Sequence, residues 1–193
     1  EVYILEDADG DGIEDSAALY CNINDFGLRS PGGFTYREDT VYIGASQEIR
    51  AFLDKDKDGK ADTSWTFFND IPFSEHPYEW TCGLNFGPDG WLYFNLTTDS
   101  WNAGASPDPK RYRGSILRVS PDGKRAEVMA TGIRSVYGMQ FNTNGDLFFI
   151  DNEGGGNPSE ELNLLSKGGF YGHNVKKYAG HDSIIKAAHV LET

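Results

Sequence analysis

The sequence has few basic residues and few cysteines for its length. Of its 193 residues, 17 are Lys or Arg and 30 are Asp or Glu, which gives a formal net charge of −13. A nucleic-acid-binding protein needs a basic face, so this class of function is excluded. The two cysteines, Cys21 and Cys82, are too few and too far apart for a metal site or a disulfide framework. The sequence leaves open whether they pair.

Long hydrophobic runs are also absent, so we expect no transmembrane segment. The chain starts at Glu1 without Met and shows no signal peptide. We therefore expect that processing or truncation has removed the original start of the protein.

Glycine, proline and aromatic residues are abundant. The 23 Gly and 8 Pro are spread along the chain, and aromatic residues make up 13% of it. Spread Gly and Pro indicate many short turns between short strands. The aromatic content favours strands over helices. The composition therefore predicts an all-β protein.

A strand–turn–strand unit recurs along the chain. Residues 83–94 align with residues 138–149 without a gap, and residues 33–43 form an earlier copy that is shorter in its turn. The dipeptides Asp89-Gly90 and Asn144-Gly145 predict two-residue hairpin turns in which both residues have positive φ.

Further short strands are predicted between these hairpins, at residues 2–5, 49–53, 115–119 and 126–130, with a hairpin turn at 120–123 between the last two. About four strands per ~50 residues is the size of a β-propeller blade. A β-sandwich is the alternative, but sandwiches do not repeat such a unit. We predict one β-propeller domain over residues 1–193, with about four four-stranded units, incomplete at both ends and belonging to a larger ring.

Two aspartate-rich loops share one pattern, with Asp at positions 1, 3, 5 and 9 and Gly at position 6. The carboxylates, with the position 7 carbonyls, are the predicted calcium ligands: Asp7, Asp9, Asp11, Ile13 and Asp15 in the first loop, and Asp54, Asp56, Asp58, Lys60 and Asp62 in the second.

Calcium prefers about 6–8 oxygen ligands, which this pattern supplies. Position 12 holds Ala18 or Trp65 instead of the Glu of an EF-hand, so the loops suit fixed structural sites better than calcium sensing. The alternative is a pair of acidic turns without a metal, in which the clustered carboxylates would repel one another. Calcium is plentiful outside the cytosol, so we expect a periplasmic or secreted protein.

An ordered set of motifs gives the chain a family resemblance. After the first aspartate loop come Phe-Gly-Pro-Asp-Gly-Trp-Leu-Tyr at 86–93, Thr-Gly-Ile-Arg at 131–134, Glu-Leu-Asn at 161–163 and Gly-Gly-Phe-Tyr-Gly at 168–172. The set resembles the glucose/sorbosone dehydrogenase family of six-bladed propellers, which includes soluble quinoprotein glucose dehydrogenase. It is most similar to the branch with aspartate-rich loops whose members are named as membrane-bound dehydrogenases. The resemblance extends from residue 1 to about residue 175.

The resemblance implies oxidation of a sugar or an alcohol with pyrroloquinoline quinone (PQQ), an active-site calcium and a redox partner. In such sites the calcium polarises the quinone, an imidazole takes the proton of the substrate hydroxyl, and a hydride moves to the cofactor.

The same resemblance implies roles for individual residues. Arg134 matches a cofactor-contacting arginine, although Ser135 and Val136 follow it instead of Asn and Pro. Gly154 and Gly155 fall in the loop whose backbone carbonyls bind the active-site calcium. The family's base histidine lies just before the Gly-Pro-Asp-Gly strand, but residues 79–82 contain none, which leaves His76 as the nearby candidate.

Two other functions stay open at this point. One is a non-catalytic propeller, stabilised by calcium, that binds carbohydrate or a protein partner. The other is a calcium-dependent lactonase-type hydrolase, for which Asn152, Glu153 and Asn163 are candidate ligands. Three tryptophans are candidates for stacking on sugar rings; we expect Trp91 to lie in the core and Trp101 to be exposed, and Trp80 is the third.

Overall fold

The structure is a computed structural model that describes residues 1–73, 78–98, 112–152 and 160–173, and the backbone of 189–192. Within these residues it contains fifteen β-strands, one short 3-10 helix (Ile23–Phe26) and no α-helix. The described residues include no helix with the length and hydrophobicity that crossing a bilayer requires. The all-β prediction is confirmed.

A two-stranded hairpin and a four-stranded sheet form the first part of the chain. The hairpin pairs β1 (Val2–Glu6) with β2 (Ser16–Cys21). The sheet follows the order of the sequence, β3 (Gly33–Arg37), β4 (Thr40–Gly44), β5 (Ile49–Leu53) and β6 (Thr63–Phe68), with antiparallel neighbours.

Two further sheets repeat this plan. The first contains β7 (Thr81–Phe86), β8 (Leu92–Leu96), β9 (Ser115–Val119) and β10 (Ala126–Thr131), and β14 (Gly169–Phe170) adds to β10 in parallel. The second contains β11 (Val136–Phe141), β12 (Leu147–Asp151), β13 (Glu161–Leu164) and β15 (His189–Glu192). Successive antiparallel sheets of about four strands are the blades of a β-propeller, which confirms the predicted fold.

The first strands of the three sheets lie side by side, since β7 packs against both β3 and β11. The approach is close: a Cβ at Gly83 would lie 2.9 Å from Met139 Cε and 3.0 Å from the carbonyl oxygen of Val136. Glycine is therefore needed at this point because a side chain would push the two sheets apart.

The hydrophobic cores lie between neighbouring units rather than within one. One cluster joins the first hairpin to the first sheet through Tyr20, Ile43 and Phe52. A second joins the first and second sheets, and a third joins the second and third sheets, where Phe149 stacks edge-on against Tyr171. Each fully buried side chain of this size contributes about 1.5–3 kcal/mol, so the units stabilise one another.

The predicted strands occur where expected, but the turn type at two hairpins was wrong. Only Gly90 (φ 78°) and Gly145 (φ 87°) have positive φ; Asp89 and Asn144 do not. The connection runs over residues 87–91, and Gly90 N–H donates to the carbonyl of Gly87 at 2.9 Å. Pro88 fixes its own φ at about −65°, which favours a type I turn that ends at Gly90.

A two-residue turn with two positive φ angles occurs in the earlier copy at 33–43, where the sequence predicted a shorter turn but not its type. Glu38 (φ 50°) and Asp39 (φ 63°) connect β3 to β4, directly after the pair Arg37 and Thr40. Neither residue is glycine, so sequence preference alone would not have predicted this turn conformation.

The strand register defines two ends of the molecule. The turn at 38–39 and the second aspartate loop lie at one end, because Arg37, Thr40, Leu53 and Thr63 form one row across the sheet. We name this the aspartate-loop end. The opposite end is where β3, β7 and β11 begin, and there Thr81 Oγ1 donates to the carbonyl of Ala45 at 2.7 Å. We name it the strand-entry end.

Candidate functional site

The two aspartate loops form equivalent connections in successive units. The first joins β1 to β2 and the second joins β5 to β6. Each is closed at its base by one backbone hydrogen bond, from Asp15 N–H to Glu6 O at 2.8 Å and from Asp62 N–H to Leu53 O at 3.0 Å. The sequence therefore located both loops correctly.

Both loops have the same internal hydrogen bonds. The carboxylate at position 1 accepts from the backbone N–H groups of positions 4 and 6, and the carboxylate at position 9 accepts from that of position 2. In the first loop the distances are 2.7, 2.9 and 2.8 Å (Asp7 with Gly10 and Gly12, Asp15 with Ala8), and in the second they are 2.8, 2.9 and 2.6 Å (Asp54 with Lys57 and Gly59, Asp62 with Lys55).

Three carboxylates converge in each loop, with one oxygen of each within 4.8 Å of the others. The two triplets are Asp7, Asp9 and Asp15 in the first loop and Asp54, Asp56 and Asp58 in the second. Asp11 and Asp62 lie outside these triplets, and each accepts a backbone hydrogen bond. A carboxylate has about four lone-pair sites, so these bonds leave oxygens available. Such a set of hard oxygen donors fits calcium.

The loops contain a second left-handed position that sequence reasoning missed. The predicted Gly at position 6 has positive φ in both loops, 89° at Gly12 and 86° at Gly59. Position 4 is also left-handed, at Gly10 (φ 76°) and at Lys57 (φ 63°). Gly10 in the first loop could have indicated a left-handed residue at position 4. In the second loop Lys57 adopts this conformation at an energetic cost.

The second loop is bonded to the neighbouring unit. Ala61 N–H donates to the carbonyl of Tyr20 on β2 at 3.0 Å, and the hydroxyl of Tyr20 donates to the carbonyl of Phe52 at 3.2 Å. This loop therefore connects the first hairpin to the first sheet.

Arg134 lies at the strand-entry end, just before β11. Its backbone N–H donates to both carboxylate oxygens of Asp151 at 3.1 Å, and its carbonyl accepts from Thr98 N–H at 3.0 Å. The backbone of Arg134 is thus held between two neighbouring sheets.

A row of buried polar side chains lies behind Arg134. Asp151 faces Glu161 across β12 and β13, and Asn163 Nδ2 donates to Glu161 Oε2 at 3.3 Å. Desolvation raises the pKa of Asp151 to about 7, against the opposing effect of hydrogen bonds from the N–H groups of Ser135 and Arg134. Sequence reasoning missed Asp151 and Glu161. An acidic residue at the end of the apolar strand β12 could have indicated Asp151.

Two oppositely charged side chains are fully buried at the same end. Glu79 lies in the segment where the family resemblance placed a histidine, and its Oε2 is 4.0 Å from Nε of Arg113. Arg113 also donates to the carbonyl of Pro72 at 2.6 Å. Sequence reasoning singled out neither residue, since nothing local distinguishes them from surface charges.

The tryptophan candidates have different environments. Trp91 packs against the core, with the guanidinium carbons of Arg118 and Arg125 at 4.4 and 5.2 Å from its ring centroid, which confirms its structural role. Trp80 lies at the strand-entry end between two exposed tyrosines. Trp101 lies outside the described residues.

Several predicted site residues lie outside the described part of the chain. These are His76, Gly154 and Gly155, together with the hydrolase candidate Glu153. Of the other hydrolase candidates, Asn152 donates to Glu160 at 3.3 Å and Asn163 to Glu161.

The two cysteines are buried and are not bonded to each other. Burial raises the pKa of the Cys82 thiol to about 12, so this residue is a structural thiol rather than a reactive one.

Comparison with known proteins identifies the family. A family model described as a domain of unknown function (DUF7133) matches residues 1–183. The chain belongs to this family. The match includes both aspartate loops and the described polar residues of the strand-entry end.

Solved structures similar to the DUF7133 chain include sugar dehydrogenases. The PQQ-bound aldose sugar dehydrogenase of Streptomyces coelicolor is 26% identical, with a TM-score of 0.59, and the match covers 84% of this chain and 55% of that one. The calcium structure of the Trichoderma reesei carbohydrate-active enzyme of family AA12 is 17% identical, with a TM-score of 0.67, covering 95% and 54%. Among curated proteins, the HIPL1 protein of Arabidopsis thaliana is 27% identical over 58% of this chain and 20% of its own length.

The DUF7133 chain therefore spans about half the length of these solved structures and a fifth of the HIPL1 protein. The AA12 similarity shows the fold alone at this level of identity. Together with the Streptomyces enzyme, it shows that the chain has a β-propeller fold similar to that of these solved structures.

Proposed function

We propose that the DUF7133 chain is part of a dehydrogenase that oxidises a sugar or an alcohol with PQQ, within a six-bladed ring in which calcium stabilises two of the units. The observation that carries this proposal is the similarity over 84% of the chain to a PQQ-bound aldose sugar dehydrogenase. The assignment to the branch with aspartate-rich loops belongs to the same proposal, as does a redox partner that reoxidises the cofactor.

Arg134 is the described residue that fits the cofactor. Its backbone is fixed by Asp151 and Thr98, and its guanidinium would offer paired donors to the carboxylates of PQQ, for which lysine is a poor substitute. Gly154 and Gly155 would let backbone carbonyls approach an active-site calcium, and His76 is the candidate proton acceptor. When bound, the quinone supplies the hydride acceptor.

The calcium ions of the two aspartate loops have a structural role in this proposal. The second loop lies at the opposite end of its sheet from Arg134 and bonds to the neighbouring hairpin. A metal there would hold two units together without contacting the substrate. Sites of this kind fill where calcium is plentiful, so we place the protein in the periplasm or outside the cell.

A second candidate function is a non-catalytic propeller, stabilised by calcium, that binds carbohydrate or a protein partner. The specific observation in its favour is the segment 79–82, which contains no histidine and whose acidic residue, Glu79, is buried beside Arg113. A protein that had lost its proton acceptor would retain the fold and the ligand surface.

Reconstitution of the full-length protein distinguishes the two functions. The protein is loaded with PQQ and calcium, and dye reduction is measured with a panel of sugars and alcohols. Turnover supports the dehydrogenase. Tight PQQ binding without turnover supports the non-catalytic propeller with a lost base, and absence of PQQ binding refutes the dehydrogenase. Arg134→Lys should weaken PQQ binding, whereas Arg37→Lys, at the aspartate-loop end, should not.

A further inference from the structure

Three aromatic side chains form a cluster at the strand-entry end. The ring of Trp80 is 6.3 Å from that of Tyr78 and 6.2 Å from that of Tyr137, with interplanar angles of 60° and 65°. Tyr78 is 57% exposed and Tyr137 is 62% exposed, while Trp80 is half-buried. We name these three residues the aromatic shelf. Large aromatic side chains are normally buried, so a cluster that leaves them exposed indicates a binding surface.

Hydrogen bonds hold the backbone of Trp80 at the centre of the shelf. The backbone N–H of Trp80 donates to Thr97 Oγ1 at 2.5 Å, and its carbonyl accepts from Thr97 N–H at 2.9 Å. The buried guanidinium of Arg113 also donates to the Trp80 carbonyl, at 3.4 Å. The backbone of Trp80 therefore needs no ordering when a ligand binds, which lowers the entropic cost of binding.

A bulge places Tyr137 beside Trp80. The register of β11 and β12 shifts between Val136 and Gly138, which leaves Tyr137 as the extra residue. Val136 N–H donates instead to the buried Asn95 Oδ1 on β8, at 3.0 Å. Bulges of this kind redirect a side chain, and here the redirected ring meets a ring from the neighbouring sheet.

Gly138, which follows Tyr137, is exposed, and no described residue has an atom within 4 Å of where its Cβ would be. The shelf and Arg134 lie at the same end, and Arg134 is three positions before Tyr137 in the chain.

We propose that the aromatic shelf binds the face of a neutral sugar ring, with Trp80 as the stacking surface and Tyr78 and Tyr137 at its edges. Aromatic faces carry negative partial charge and attract the C–H face of a ring, and the tyrosine hydroxyls supply hydrogen bonds to ring hydroxyls. The net charge of −13 disfavours an anionic ligand. Three rings form too small a surface for a stable protein interface, which needs about 800 Å² from each partner.

The choice of a sugar rests on the proposed function, because it makes the shelf a substrate-positioning surface beside the cofactor residues. The geometry of the shelf does not depend on PQQ. Sugar binding is therefore measured on protein that contains no quinone, and quinone binding is measured separately.

The experiment follows the indole N–H signals of ¹⁵N-labelled protein during titration with glucose, cellobiose and sorbitol up to about 100 mM, well above the usual ~1 mM upper range of KM. The signal of Trp80 is assigned by its loss in Trp80→Phe. We expect both ring sugars to shift this signal in a saturable way. Sorbitol, which has the hydroxyls but no ring, should shift it much less.

Matched variants test whether the shelf residues bind the ring. Tyr137→Ala and Trp80→Ala should weaken glucose binding by about tenfold, which is the size of one aromatic contact. Tyr36→Ala removes a tyrosine of similar exposure (58%) at the aspartate-loop end, and Trp65→Ala removes an exposed tryptophan on β6. Neither control should change the affinity, which is measured by calorimetry if an indole signal is lost.

The proposal is overturned if ring sugars leave the Trp80 signal unchanged, if sorbitol shifts it equally, or if the control variants lose as much affinity as the shelf variants. Binding of PQQ without a sugar-induced shift refutes the shelf and leaves the dehydrogenase proposal standing. A sugar-induced shift without PQQ binding supports the shelf and refutes the dehydrogenase.

Discussion

Glu79 Oε2 lies 4.0 Å from Nε of Arg113, and both side chains are fully buried. Within the described part of the chain, neither carboxylate oxygen of Glu79 has a hydrogen-bond partner, whereas Arg113 donates to the carbonyls of Pro72, Trp80 and Thr97. The pair therefore balances two buried charges behind the aromatic shelf, at the end of the molecule where the cofactor is proposed to bind.

Removal of one partner of this pair should destabilise the fold strongly. We expect Glu79→Gln to lower the free energy of unfolding by about 3–5 kcal/mol, because it removes a buried negative charge that lies 4.0 Å from the buried guanidinium. The double variant Glu79→Leu/Arg113→Met should lose less free energy of unfolding than the sum of the losses in Glu79→Leu and Arg113→Met. Denaturant unfolding measures these effects. Glu38→Gln is the control, because the exposed ion pair of Glu38 with Arg37 should contribute only about 0–1 kcal/mol. Equal losses in Glu79→Gln and Glu38→Gln would contradict this prediction.

The buried Asp151 should make stability depend on pH. Its pKa is raised to about 7 in the folded protein, against about 3.9 in an unfolded chain, so the folded state binds the extra proton between these values. The stabilising contribution is fully present below about pH 4 and is lost as the pH rises through about 7.

Relative to Asp151→Asn, the wild-type protein should lose up to about 1.4 kcal/mol of stability per pH unit between pH 4 and pH 7. Asparagine keeps an oxygen that can accept from Arg134 and Ser135. The measurement is thermal or urea unfolding at a series of pH values. Asp146→Asn, which changes an exposed carboxylate, should leave the pH dependence of stability as it is in the wild type. A constant difference between wild type and Asp151→Asn would show that the group does not titrate in this range.

Calcium should bind to both aspartate loops. Calorimetry on calcium-stripped protein should detect at least two calcium sites. The double variant Asp56→Asn/Asp58→Asn in the second loop should remove one of them. EGTA should lower the Tm, because a ligand bound only by the folded state stabilises it by mass action. Asp25→Asn, an exposed acid outside the loops, should leave both sites intact. Absence of calcium uptake would eliminate both sites.

The left-handed conformation of Lys57 should cost stability. Lys57→Gly should raise the free energy of unfolding by about 1 kcal/mol, because glycine adopts φ 63° without steric strain. The ion pair between Lys57 and Asp39 is exposed and contributes little. Denaturant unfolding in EGTA avoids a contribution from metal binding. Lys60→Gly, where φ is not positive, should be neutral or destabilising, and a gain there equal to that of Lys57→Gly would contradict the explanation.

Sequence patterns predicted the features of this chain that depend on neighbouring residues. The strands at Ile49–Leu53 and Ser115–Val119, the hairpin turn at 120–123 and both aspartate loops follow from alternation, turn chemistry and carboxylate spacing. These signals act over a few residues, so the amino-acid sequence determines them almost alone.

Tertiary structure decided which residues meet across the sheets. Glu79 is 34 positions from Arg113, and Trp80 is 57 positions from Tyr137, so no local pattern relates them. The same holds for the hydrogen bond from Val136 to Asn95 that sets the bulge in β11. Burial and partnership at these positions arise only when neighbouring sheets pack, because desolvation depends on the surrounding atoms and not on the sequence next to the residue.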